Sequence, residues 1–148
     1  MRNNRPGEFA IVSLYDPETE EFTQEFFRPD DGFFSRTLRL SELKSQGFKV
    51  AGILYVNRET YYNAKLANLC SDYIKQDNFK REAQRDFDNG RISADDLFLR
   101  VQCCEDTKWT TLKSITKMVR RMHRWQLDVE SEIALQLYDQ YMDATLKF

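Results

Sequence analysis

The chain has 148 residues, of which 41% are hydrophobic and 14% aromatic, with only 5 Gly and 3 Pro. This composition excludes an intrinsically disordered protein, and the length suits one globular domain. The formal net charge is −2. No apolar run approaches the about 20 residues of a membrane span, and the N-terminus shows no signal-peptide core. We therefore expect one intracellular, cytoplasmic domain over 1–148, with a flexible tail at 1–7.

The cysteines indicate a reducing compartment. They are odd in number, and Cys103 and Cys104 are neighbours, while Cys70 lies far away in the sequence. This pattern is a poor basis for a disulfide framework or a metal knuckle. We expect three buried, reduced thiols that behave as small apolar side chains.

The first β-strands are predicted from alternation and turn residues. Residues 8–15, EFAIVSLY, are apolar on both alternating faces, which is typical of a covered central strand. An acidic turn at 16–20 leads to the more polar EFTQEFFR at 21–28, which suits an edge strand. We expect these two strands to form a hairpin.

Residues 36–56 extend the predicted sheet. We expect a short strand at 36–40, then a single helical turn that Ser41 caps and Gly47 ends. FKVAGILYV at 48–56 is the strongest strand of the chain, apolar on both faces, and Gly52 permits a bulge or a close backbone approach. The β-rich part, 8–56, is therefore predicted to be a three- or four-stranded, mainly antiparallel sheet.

From Asn57 onward the apolar period changes from two to 3.6 residues. We expect a long helix with a kink or break near Asp77 and Asn78, which the Asp-Asn-Gly sequence at 88–90 stops. Ser93, with an acid three residues later, resembles a capping box for a helix at 94–104.

Two more helices are expected before residue 146. Thr107 is predicted to cap a basic helix and Asp128 a last helix at 129–146, although the two could fuse. The resulting fold class is α+β, an N-terminal sheet with the helical layer of 57–146 packed on it. The predicted core of this domain consists of Ile11, Leu14, Val50, Leu54, Leu66, Leu69 and Tyr73.

The basic helix is the main functional candidate. Residues 107–125 carry six lysines and arginines and no acid, and at roughly 100° per residue the charges segregate. Its basic face consists of Lys113, Lys117, Arg120, Arg121 and Arg124. The opposite face is apolar and consists of Leu112, Ile115, Val119 and Met122. Trp109 and Trp125 fall near the borders, where they could stack on an unpaired base.

Two other interpretations of the basic face stay open. Amphipathic helices usually expose their charges to water without binding a partner. Acidic segments also flank the helix, eight acids in 8–32 and a second set after Trp125. The acids of the last helix that could pair with the basic face are Glu132, Asp139 and Asp143.

Signals for catalysis or metal binding are weak. The single histidine, His123, lies among cationic neighbours and has no nucleophile nearby in the sequence. Residues 85–96 match only the second half of a calcium loop. Asp30, Glu42 and Lys44 imitate the order of a PD-(D/E)xK nuclease, but Glu42 and Lys44 fall in a predicted helical turn. We therefore expect no cofactor and no metal.

The hairpin region offers a second surface. Five phenylalanines crowd 22–34 beside the acids, and we expect most of them to be core. They are Phe22, Phe26, Phe27, Phe33 and Phe34. If some are exposed, the acidic and aromatic composition is that of a protein-binding edge.

Together these features predict a non-catalytic accessory or regulatory protein that binds a protein or nucleoprotein partner through the basic face. A phage-type inhibitor of a host nucleoprotein enzyme is one form of this hypothesis. The alternatives are a protein that contacts a nucleic-acid backbone directly and, last, a metal-dependent nuclease. No membrane partner is expected, and the oligomeric state stays open.

Overall fold

The computed structural model describes residues 8–146, so the tail predicted at 1–7 lies outside the described residues. The elements in chain order are β1 (Phe9–Asp16), β2 (Glu21–Phe27), α1 (Phe33–Ser45), β3 (Lys49–Val56), α2 (Arg58–Asp88), α3 (Ala94–Arg124) and α4 (Glu132–Leu146). The predicted α+β class, with an N-terminal antiparallel sheet followed by helices, is confirmed. The chain divides into two compact units, 1–61 and 62–148. The single domain predicted over 1–148 stays a prediction.

The sheet of the first unit has three strands in the order β2-β1-β3, all antiparallel. The predicted hairpin, the central position of β1 and the edge position of β2 are confirmed. Ser13 pairs with Gly52 but the next residue, Leu14, pairs with Val50, so Ala51 is an extra residue on β3. The bulge expected at Gly52 is therefore present beside it, with Ala51 as the residue left unpaired.

One face of this sheet is buried under α1. Alternate β1 residues Ala10, Val12 and Leu14 cluster with Phe27 of β2 and Leu43 of α1. In contrast, Leu54 of β3 is 61% exposed. The prediction that Leu54 is core is wrong, although its strand is correct, because β3 is an edge strand and Leu54 lies on the face away from α1.

Helix α1 replaces both the strand predicted at 36–40 and the single turn that Ser41 was expected to cap, because Ser41 lies inside this helix. Arg36, Leu40 and Leu43 are four and three residues apart, so a helix places them on one face towards the sheet. A strand would have divided them between two faces. Gly47, with φ +99°, follows the helix end, which confirms its predicted role.

Helix α2 continues without interruption through Asp77 and Asn78, so the break predicted there does not occur. The alternative of a kink at this point stays a prediction. The carboxylate of Asp77 accepts a hydrogen bond from Lys108, and the amide oxygen of Asn78 accepts one from Arg81. Because these side chains have other partners, they do not compete for the helix backbone. The predicted stop is confirmed, since α2 ends at Asp88 and Gly90 has φ +73°.

Helix α3 joins two helices that were predicted to be separate. Ser93 caps it as expected, because its Oγ accepts the backbone N–H of Asp96 at 3.2 Å. The expected cap at Thr107 is wrong. The Thr107 hydroxyl donates to the carbonyl of Cys103, one turn earlier, at 2.8 Å, so the residue lies inside the helix.

The last two helices are not fused. Helix α3 ends at Arg124, Gln126 adopts a left-handed φ of 58°, and α4 begins at Glu132. Asp128 does not cap α4, contrary to the prediction. Ser131 does so, because its Oγ accepts the backbone N–H of Ala134 at 3.1 Å.

The buried residues of the second unit come from all three helices. Leu66 of α2, together with Ile115, Val119 and Met122 of α3 and Ala134 of α4, has an exposed fraction of 0%. Among the described residues, no helix is long and apolar enough to cross a membrane.

Candidate functional site

The C-terminal half of α3 positions the basic face. All five of its cations, Lys113, Lys117, Arg120, Arg121 and Arg124, are solvent-exposed. With 3.6 residues per turn they fall within an arc of roughly 100° and extend about 16 Å along the helix axis. The predicted geometry of one continuous cationic surface is therefore present.

The apolar side of α3 fixes the direction of this surface. Ile115, Val119 and Met122 are 0% exposed, and Leu112 is half-buried. A helix whose opposite face is fully packed cannot rotate its cations away from solvent without exposing those side chains. The orientation of the basic face is thus determined by the core of the second unit.

None of the five cations forms an ion pair with another residue of 8–146. The predicted alternative, internal pairing with Glu132, Asp139 and Asp143, does not occur within this range.

Other lysines of the same unit do have acidic partners. Lys108, one turn before the basic face, lies 3.0 Å from Asp77, and Lys80 pairs with Asp77 and Glu105. The hydrogen bond from Lys108 lowers the pKa of Asp77, and that from Lys80 lowers the pKa of Glu105. Among residues 8–146, the acids of this unit therefore pair with lysines outside the basic face and with none of its five cations.

The two predicted aromatic residues differ in environment. Trp109 is 48% exposed, contacts Tyr141 with a ring distance of 5.6 Å, and has the Lys113 ammonium 5.3 Å from its ring centre. Part of its ring is thus accessible beside a cation. Trp125 is half-buried and packs on Tyr62 at 5.2 Å, so a core contact already occupies one side of it.

Among residues 8–146, the histidine and the cysteines lie in different environments. His123 is exposed and meets Tyr138 edge-on at 5.9 Å. Cys103 is exposed, which differs from the prediction that all three thiols are buried. Burial raises the pKa of the Cys70 thiol and outweighs the hydrogen bond with Ser131.

The residues that imitate the order of a PD-(D/E)xK nuclease do not lie on adjoining strands. Glu42 and Lys44 are on helix α1, where Glu42 pairs with Arg39, and Asp30 pairs with Arg28 in a turn. Within 8–146, no three His, Cys, Asp or Glu side chains cluster as metal ligands would.

Most phenylalanines of the hairpin region are not core, which corrects the expectation. Phe22 is 68% exposed, Phe33 61% and Phe34 77%, whereas Phe27 is buried and Phe26 half-buried. Phe22 lies on edge strand β2, and Phe33 and Phe34 begin α1, so each has few neighbours to cover it. This region therefore carries exposed aromatic groups.

Sequence reasoning missed Arg36. This arginine is only 4% exposed and lines a cavity between α1 and the sheet. The signal that could have found it was the helical spacing of Arg36, Leu40 and Leu43, which the prediction of a strand at 36–40 concealed.

Comparison of this chain with models of known protein families, with curated proteins and with solved structures gives no match.

Proposed function

We propose that the protein is a non-catalytic accessory protein that binds a polyanionic macromolecular partner through the basic face of α3. The observation that carries this proposal is the set of five exposed cations, none of which has a carboxylate partner among the described residues. Surface cations that lack internal partners keep their full field for an approaching anion. A single face of this kind favours a partner with repeated negative charge.

An acidic protein or nucleoprotein surface is the leading partner class. Charge complementarity of this sort accelerates association and selects the partner more than it adds affinity. A phage-type inhibitor of a host nucleoprotein enzyme is a narrower form of the proposal, and its support is the separation of acidic and basic segments in a small chain. The three free cysteines favour a reducing, cytoplasmic location.

Direct binding of nucleic acid is the second candidate, because Trp109 is accessible beside Lys113. An exposed aromatic ring next to cations can stack on an unpaired base while the cations contact phosphates. Acidic residues elsewhere in the chain oppose this partner, since a polyanion would be repelled by them.

The test replaces Lys117, Arg120 and Arg124 together by Gln. All three are exposed and Gln is a good helix former, so the free energy of unfolding should change little. Anisotropy of labelled single-stranded DNA, duplex DNA and polyglutamate is measured against salt concentration. If DNA is bound, the slope of log K against log salt should fall by about 3 units, close to one for each lost phosphate contact.

The matched control replaces Lys44, Lys49 and Lys75 by Gln. These lysines are also exposed and form no ion pair with a described residue, so the control changes the net charge equally. Wild type and control should bind alike, and the basic-face variant should bind more weakly. An equal loss in both variants, or no polyanion binding by wild type at low salt, would contradict the proposal. Weaker binding of polyglutamate alone would identify an acidic protein as the partner class.

A further inference from the structure

A cavity of about 180 Å³ lies between α1 and the sheet of the first unit. Its walls are apolar, with Ala10 and Val12 from β1, Phe27 from β2 and Leu40 from α1. Two further lining residues, Phe33 and Ile53, are 61% and 44% exposed, so the cavity opens to solvent at their side. The space is thus an open apolar pocket and not a closed packing defect.

Among residues 8–146, Arg36 is the only charged residue that lines this pocket. Its Nη2 donates to the backbone carbonyls of Glu8 at 2.8 Å and Arg28 at 2.6 Å, and its guanidinium lies 5.6 Å from the centre of the Phe27 ring. These contacts hold the side chain in place. They involve one nitrogen of three, so they position the guanidinium without using its other donors.

The charge of Arg36 has no counter-ion among the described residues. No carboxylate of 8–146 forms an ion pair with it, Nε is buried without a hydrogen-bond partner, and Nη1 donates to no described residue. Burying a charge without an ionic partner is costly, and proteins usually avoid it unless the group serves another purpose. Here the cation sits at the wall of an accessible apolar space.

The N-terminus of α1 lies at the same pocket. Its N-cap is Gly32, which has no side chain that could accept a backbone N–H of the first turn, and no acid lies in that turn. The positive end of this 13-residue helix is therefore not neutralised by its own first turn. Phe33, the first residue of the helix, lines the pocket that Arg36 also lines.

We propose that this pocket binds a small carboxylate with an apolar body, its carboxylate against Arg36 and its body between α1 and the sheet. A planar guanidinium matches a carboxylate in shape and charge, and charge-assisted hydrogen bonds are stronger than neutral ones. The pocket is slightly larger than the roughly 150 Å³ apolar cavity that can hold benzene. A single ring or short chain bearing one carboxylate therefore fits, and this inference does not rest on the basic face of α3.

The test uses phenylacetate and its neutral counterpart 2-phenylethanol as probes in a ¹H–¹⁵N chemical-shift titration of the whole chain. Phenylacetate should shift the amides of Phe33, Arg36 and Tyr55 saturably. Affinity for 2-phenylethanol should be at least about tenfold weaker, because its hydroxyl carries no negative charge to pair with the guanidinium and cannot accept a bidentate hydrogen bond from it.

A pair of variants tests the role of the charge without touching Arg36, whose replacement could unfold the first unit. Thr37 lines the pocket and is exposed on α1. Thr37→Glu places a carboxylate beside the guanidinium that competes with phenylacetate, so it should weaken phenylacetate binding by about tenfold or more. Thr37→Gln, whose side chain has the same shape as Glu but no charge, should not weaken it. Both residues are good helix formers, so both variants should stay folded.

Three results would overturn the proposal. They are the lack of saturable shifts with phenylacetate, equal affinity for the acid and the alcohol, and equal binding by Thr37→Glu and Thr37→Gln. The first would show that the pocket is not a ligand site. The other two would show that any binding is purely apolar and that Arg36 only ties the residue before β1 to the residue after β2.

Discussion

Replacing Asn63 by Leu should destabilise the second unit through the segment that separates α3 from α4. Asn63 lies on α2 and is 8% exposed. Its amide nitrogen donates to the carbonyl of Asp128 at 2.8 Å, and its amide oxygen accepts the backbone N–H of Glu130 at 2.9 Å. The Asn63 side chain thus bonds to two backbone groups of the segment between α3 and α4. Leu has about the same size as Asn but can form neither hydrogen bond.

The expected loss follows from these two bonds. Each contributes about 1 kcal/mol net, and a backbone group that is left unpaired and buried would cost more. Asp128 and Glu130 are exposed residues, so water can replace part of what the freed backbone groups lose. We therefore expect the free energy of unfolding to fall by about 1–3 kcal/mol.

Urea unfolding followed by circular dichroism measures this loss, and amide hydrogen exchange at Glu130 reports on it locally. Asn68→Leu is the matched control on the same helix, because Asn68 is half-buried and forms no hydrogen bond with another described residue. It should change stability by less than about 0.5 kcal/mol. The reasoning is refuted if Asn63→Leu is as stable as wild type with unchanged exchange at Glu130, or if Asn68→Leu loses as much.

Three further predictions concern packing and pH. Leu14→Ala should lower the free energy of unfolding by about 2–5 kcal/mol and Leu54→Ala by less than about 1 kcal/mol, because only Leu14 is buried. Urea unfolding measures both losses, and equal losses in the two variants would contradict this prediction. Thr116→Val should raise the free energy of unfolding by about 0.5–1 kcal/mol, because the buried Thr116 hydroxyl has no hydrogen-bond partner among the described residues. A lower melting temperature of the variant would show that the hydroxyl has a partner. The hydrogen bond from Lys108 lowers the pKa of Asp77 in the folded protein. The ionised carboxylate therefore stabilises the fold at pH values above its unfolded-state pKa of about 3.9. This stabilisation is lost as the pH falls through the lower folded-state pKa. Asp77→Asn should therefore be less stable than wild type at neutral pH but not at about pH 2, and a constant difference across this range would exclude an ionic origin.

Local signals were sufficient where one residue determines the backbone. Gly90 predicted the stop of α2, because the residue at that position decides whether a left-handed backbone is tolerated. The predicted Ser93 cap is confirmed for a similar reason, because the backbone N–H that donates to its hydroxyl belongs to Asp96, only three residues away. Such features depend little on the remainder of the fold.

Predictions failed where the outcome depends on which partner a side chain finds. Thr107 can cap a helix, yet its hydroxyl bonds to Cys103 inside α3, and Ser131 instead of Asp128 caps α4. Leu54 has the composition of a core residue, but its burial depends on which strands and helices lie beside β3. The Arg36 pocket needs residues of all three strands and α1, so no local pattern could define it.

The two sites proposed here differ in solvation, and salt therefore distinguishes them. The basic face is exposed, so its binding to DNA through five phosphate contacts should weaken about 10²–10³-fold as salt rises from about 0.05 to 0.2 M. Arg36 is 4% exposed, and buried charge pairs are screened much less than exposed ones. Phenylacetate affinity should change less than about threefold over that range, measured by the same chemical-shift titration. A steep salt dependence of phenylacetate binding would place the carboxylate at an exposed cation and remove the case for the pocket, whatever the basic face binds.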